Sequence, residues 1–162
     1  MTYINEKNEI FTTAAEAVLA LCSEYGEVNG QRIGFETLGD SSGIALYAGE
    51  GEATISETAD ITGGRTRLYR IPMRVIYRAA ATTETQRLAV MLSLETLGDW
   101  LCGETVTFGG EERTRREYPP ISGGRIIRIG RRASYNSATA KNGVSDRILP
   151  LTVEFERVRD AG

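Results

Sequence analysis

The sequence predicts an α+β fold: one mostly antiparallel, twisted sheet with two helices packed on one of its faces. Three observations predict it. Residues Arg67 to Ala80, RLYRIPMRVIYRAA, alternate between an apolar set (Tyr69, Ile71, Met73, Val75, Tyr77) and a set carrying Arg70, Arg74 and Arg78. That is the period of a strand whose two faces meet different surroundings. Near the C-terminus RILPLTVEFERV alternates in the same way, with Leu149, Leu151, Val153 and Phe155 on one side. Two further segments, about Ala14 to Tyr25 and within Ala81 to Glu104, repeat apolar residues at helical spacing.

Taken in chain order, Met1 to Asn8 reads as a polar arm, and residues 1–11 are set apart from a domain spanning 12–162. Thr13-Ala-Ala-Glu16 is a capping-box signature, a threonine to cap and a glutamate three positions on to reach back. The helix it opens places Ala15, Val18, Cys22 and Tyr25 on one side, with Phe11 as a hydrophobic staple. Turns follow, then strands near Ile44 to Gly49 and Ala53 to Thr58. Gly63-Gly64 turns the chain into the long strand.

Thr83-Glu-Thr-Gln86 is a second capping box, opening a helix with Val90, Leu94, Leu97 and Leu101 on one line. Leu88 and Leu92 form another apolar line. The first helix is expected to pack against it, the alternative being a neighbouring subunit. ERTRREYPPISGG reads as a charged loop, RIIRIGR as a short strand and ASYNSATAKNGVSD as a polar loop. Pro150 has no amide donor, so the last strand is expected at a sheet edge or bulged there. ETLGD and GGR each occur twice. Their flanks do not align, so the GGR copies read as similar turns into strands rather than as a duplication.

The 162 residues suit one domain, and 41% apolar residues supply a core. No apolar run approaches the length that spans a membrane, and MTYINEKNEIF is too polar for a secretory signal. Cys22 and Cys102 sit in apolar, helix-like contexts, as reduced core thiols of a protein folded in a cytoplasm would. Nineteen basic against twenty-two acidic residues give a net charge of -3, unlike a dedicated nucleic-acid binder. The absence of histidine removes Ser-His-Asp and Cys-His pairs and most zinc sites. GEGE and GGEE read as solvated loop charge, and no phosphate-cradling motif or nucleophile elbow is present. A protein without catalytic residues, metal or cofactor is expected.

The arginine face then has three readings. Arg70, Arg74 and Arg78 could pair with acids such as Glu154 and Glu156 on a neighbouring strand. They could line an interface with another protein, where the guanidinium fork binds carboxylates in two places. Or they could contact phosphates, although no aromatic residues interleave with them as stacking platforms.

Several strings in order resemble the tail terminator proteins of long-tailed bacteriophages, also filed as minor capsid or tail completion proteins. They are the first amphipathic helix, ADITGG turning into TRLYRIPMRVIYRAA, TTETQRLAVMLSLETLGDWL, YPPISGG and LPLTVEFERV. The resemblance spans about Thr12 to Val158. It implies a structural virion protein at the head-proximal end of the tail. Such a protein forms a hexameric ring that caps the tail tube and meets the head-side connector, and DNA passes through without specific binding. A head-tail connector or tube protein of the same machine, or a nucleic-acid module using the arginine face, are the alternatives. On the ring reading the basic face is an assembly surface, with Arg70, Arg74 and Arg78 meeting Glu50, Glu52 or Glu57 of a neighbour. Tyr135 and Lys141 lie in the Ala133 to Asp146 loop, which, like the N-terminal arm, is expected to order on contact.

Overall fold

The structure, a computed structural model, describes residues 2–48, 54–59, 61, 63–81, 83–118, 124–137 and 143–159. Helix α1 (Thr2–Tyr25) leads into β1 (Ile33–Phe35), β2 (Gly43–Ala48), β3 (Thr54–Ala59) and β4 (Arg65–Ala79). Helix α2 (Glu84–Leu101) is followed by β5 (Val106–Phe108), β6 (Glu111–Arg113), β7 (Arg125–Arg131), β8 (Tyr135–Asn136) and β9 (Ser145–Arg159). The main sheet runs β1-β2-β4-β9-β7, with β3 also on β4 and β8 also on β9. Every pairing in it is antiparallel except β1 with β2. This is the expected α+β class.

Strands β4 and β9 form its spine. They pair without a break from Arg65 opposite Arg159 to Ala79 opposite Ser145, about 50 Å at the usual rise per residue. Alternation decides which face is covered. Tyr69, Ile71, Met73, Val75 and Tyr77 are buried, as are Leu149, Leu151, Val153 and Phe155 opposite them. Ala14, Val18, Leu21, Cys22 and Tyr25 of α1 and Leu94, Leu97 and Leu101 of α2 close over that face. Burying a large aliphatic side chain contributes roughly 1.5–3 kcal/mol, so this stripe is where the fold's stability is concentrated.

The capping box at Thr83 forms as its spacing predicts: Gln86 N donates to Thr83 Oγ1 at 3.1 Å and Thr83 N to Gln86 Oε1 at 3.2 Å. Tyr25 joins the helices by an edge-on contact with Trp100, ring centroids 5.1 Å apart, and stacks on Phe108 at 4.6 Å. Both cysteines are free thiols. Burial pushes Cys22 up to about 12, whereas Cys102 is only half-buried and so is not the core thiol its context suggested.

Four further expectations are corrected. The first helix begins at Thr2 rather than near Ala14, so the segment read as an arm is helical and Thr13 lies inside the helix instead of capping it. A capping signature acts only where the preceding backbone leaves the helix, and here it does not. Leu88 and Leu92 remain 52% and 53% exposed. Helix α1 lies over β1 and β2 while α2 lies over β4, β9 and β7, so only the end of α1 comes near this ridge, where Leu92 lines a shallow hollow with Tyr25 and Val28. The charged loop is not irregular from its start: its first residues, Glu112 and Arg113, belong to β6, which forms a hairpin with β5 turned by Gly109 and Gly110 at φ +63° and +79°. Two left-handed glycines are what a tight hairpin turn requires.

Strand β9 is central, not an edge. Strand β7 pairs with it as far as Leu151 and β8 begins at Ile148. Pro150 lies in the interval, its carbonyl accepting from Arg132 N at 3.2 Å. Pro72 has the same kind of place on β4, where the β2 pairing stops at Met73 and the β3 pairing at Arg70. Each proline sits where the ladder is already interrupted, so the missing donor costs little.

Candidate interaction surface

No helix among the described residues covers the second face of the sheet. Down β4 it carries Arg70, Pro72, Arg74, Ile76 and Arg78. Opposite them on β9 stand Glu154, Thr152, Pro150, Ile148 and Asp146. Strand β2 adds Tyr47 opposite Arg74 and Ala45 opposite Ile76.

The stripe that looks basic in sequence is largely neutralised here. Arg70 Nε lies 3.2 Å from Glu154 Oε1. Arg78 makes a two-toothed pair with Asp146, Nε to Oδ1 at 2.8 Å and Nη2 to Oδ2 at 3.0 Å, and Nη1 donates to Gly39 O at 3.2 Å. The hydrogen bond to Asp146 raises the Arg78 pKa above its ordinary value against an opposing desolvation cost. On β7, Arg125 reaches Glu156 at 3.2 Å. Glu154 is therefore in place as the sequence led one to expect and Asp146 is added, whereas Glu156 pairs with Arg125 of β7 and with none of the three β4 arginines among the pairs described.

Arg74 is set differently. Its guanidinium carbon lies 5.4 Å from the centre of the Tyr47 ring, within cation–π reach. It lines a cup of about 170 Å³ together with Tyr47, Pro72, Tyr135, Ile148 and Pro150. Tyr135 stands opposite Ile148 and is half exposed. The fold thus gathers Arg70, Arg74, Arg78 and Tyr135 on one face. Tyrosine and arginine around a small apolar hollow are the residue types in which interface binding energy concentrates.

Glu57 is not part of this face. It pairs opposite Arg67, in phase with Tyr69, and lies 3.8 Å from Arg65 and 3.7 Å from Arg67 of its own chain. A shift of one residue along a strand moves a side chain to the other face. Glu50, Glu52 and Lys141 lie outside the described residues.

A polar cluster that the sequence did not single out ties α2 to the sheet. Arg131 of β7 reaches Asp99 at 2.7 Å and also Glu95. Ser134 donates to Glu95 Oε1 from its N at 2.8 Å and its Oγ at 2.7 Å, and Arg147 donates to Ser134 Oγ at 2.9 Å. Burial would raise the Glu95 carboxyl, but hydrogen bonds from Ser134 and Arg131 outweigh it and hold the carboxyl below its ordinary value. The signal was Glu95 and Asp99 one helical turn apart in the second ETLGD. A larger groove of about 490 Å³, between Phe11, Ala15 and Leu19 of α1 and Phe35 and Ala48, carries Glu16 as its one charged lining residue among those described. No group of three potential metal ligands, and no helix long and apolar enough to cross a membrane, occurs among the described residues.

Along the first half of β4 the order is β3-β4-β9-β7, so among the described residues β3 and β7 are the two edge strands there. They hold six and seven residues and run in opposite directions.

No family model matches the chain, and no curated protein does. Among solved structures, one titled "Virion of native gene transfer agent (GTA) particle" contains a similar chain, 15% identical, with a TM-score of 0.47 over 88% of this chain and 97% of that one.

Proposed function

We propose that the protein is a structural component of a phage-type virion, a tail terminator whose copies form a hexameric ring on the end of the tail tube and present a surface to the head-side connector. The sequence resemblance supports that family, and one observation supports the ring. A head-to-tail ring needs two different, complementary patches on each subunit. The edges β3 and β7 are different, similar in length and opposite in direction, so β7 of one copy fits beside β3 of the next as a continuing antiparallel ladder.

The open face has two parts in this reading. The pairs Arg70–Glu154, Arg78–Asp146 and Arg125–Glu156 leave little charge to hold phosphate, which suits a surface that DNA slides past, since each neutralised phosphate adds salt-sensitive affinity. The cup around Arg74 is the contact for a protein partner at the end of the ring. The protein acts by assembly and carries out no reaction.

Negative-stain imaging of the protein mixed with tail tubes tests this directly. Closed rings on one end of the tubes are expected. Protein that neither closes rings nor binds tube ends contradicts the proposal, and a salt-dependent gel shift in its place favours nucleic-acid binding.

A further inference from the structure

We infer that Tyr118 is a latch on the β7 edge, holding a free subunit closed to the next copy until assembly displaces it; this rests on the ring reading above. The amide of Ile129, in the middle of β7, donates to Tyr118 Oη at 3.0 Å. A strand added at that edge takes its hydrogen bonds from the same row of backbone groups. While the hydroxyl holds this donor, the row is interrupted at its centre.

Tyr118 is itself held. The Arg115 guanidinium lies 3.8 Å from the centre of its ring. Arg115 in turn donates from Nε to Leu101 O at 3.0 Å, at the end of α2, and from Nη1 to Arg116 O at 2.7 Å. A chain of contacts therefore runs from the last turn of α2 through Arg115 and Tyr118 to the β7 amide. Gly103, at φ +96°, belongs to it, because a Cβ there would lie 3.1 Å from Arg115 Nη2.

The rest of the edge is guarded in the same sense. Its register slips between Ile126 and Arg128, and Arg128 is exposed. Bulges and charges of this kind keep an edge from pairing indiscriminately. For a head-to-tail contact the danger is specific, since a ring that fails to close grows into an open filament. A tyrosine that rotates away is a reversible guard, and the strand that displaces it is β3 of a second copy.

The test uses Tyr118→Phe, which keeps the ring and its stacking on Arg115 but removes the acceptor. Amide exchange at Ile129 is followed by NMR in dilute protein, and self-association by sedimentation up to the highest soluble concentration. The latch predicts faster exchange at Ile129 and association tighter by about five-fold, the equivalent of one ordinary hydrogen bond. Unchanged exchange at Ile129 overturns the latch and leaves the ring reading standing. Faster exchange with unchanged association also overturns it, and in addition removes β7 as a joining edge.

Discussion

Arg74 of β4 stands directly opposite Pro150 of β9, whereas Arg70 and Arg78, four residues to either side, stand opposite Glu154 and Asp146. Three arginines with the same spacing therefore have unlike settings: two answer acids across the strand, and the central one lies in an aromatic and aliphatic cup. The prolines help to make that cup, and both are tolerated because the ladder is interrupted beside them.

Reversing the charge at Arg74 separates the two roles of the open face. Arg74→Glu is expected to leave concentration-dependent self-association in sedimentation unchanged while abolishing binding to tail tubes or to the connector. Loss of self-association assigns the cup to the subunit joint instead.

The flanking pairs differ in strength. Arg78–Asp146 is two-toothed and mostly shielded, while Arg70–Glu154 makes one contact with the arginine about half exposed. Double-mutant cycles to alanine, read by urea unfolding, are expected to give about 1 kcal/mol of coupling for the first pair and a few tenths for the second. Equal couplings contradict this reading.

Gly98 gives Arg131 its path across α2. A Cβ at that position would lie 2.6 Å from Arg131 Cδ and 3.1 Å from Leu149 Cδ1. Arg131 cannot simply swing aside, because Glu95 and Asp99 hold its far end. Gly98→Ala is expected to destabilise by about 1–3 kcal/mol, as overpacking does. In an Arg131→Ala background it should cost clearly less. Additive costs show that Arg131 is not the obstacle.

Glu95 sets an acid limit. Its carboxyl titrates below the ordinary value in the folded chain, so the folded state binds its proton less readily than the unfolded state. The stability it contributes is complete above the unfolded value of about 4.3 and is lost as pH falls through the lower folded value. Glu95→Gln is expected to lower the urea midpoint at pH 7 and to flatten its fall in acid. An unchanged acid slope shows that other carboxylates set it.

How much of this was legible depended on whether a signal was local. The two-faced β4 strand and the Thr83 capping box were legible because alternation and capping are settled within a few residues. The start of α1 was not, because Thr13 and Glu16 form a capping signature that an uninterrupted helix never uses. Pro150 signalled a missing donor correctly, but an edge and a gap between two short partners both satisfy it, and β8, only two residues long, carries no pattern of its own. The hairpin turned at Gly109-Gly110 had a turn signal, yet its three-residue strands are too short to show alternation. Glu57, expected to meet Arg70, Arg74 or Arg78 of a neighbouring subunit, lies instead beside Arg65 and Arg67 of its own chain, because the parity that places it on the other face depends on register with β4. The Arg131 cluster joins residues more than thirty positions apart, and only its Glu95–Asp99 half had a mark in the sequence.

The measurement that bears most directly on the ring is a cross-link between its two edges. Ser56→Cys on β3 and Arg128→Cys on β7 place thiols on the same face of the sheet at opposite edges. Cys102→Ser removes the half-buried native thiol, and Cys22 stays inert through its burial and its pKa of about 12. Mild oxidation of protein assembled on tail tubes is predicted to give a ladder of covalent oligomers ending at the closed hexamer, and each single-cysteine control should stop at dimers or below. Rings that form on the tubes but yield no ladder from the paired variant would contradict edge-to-edge joining.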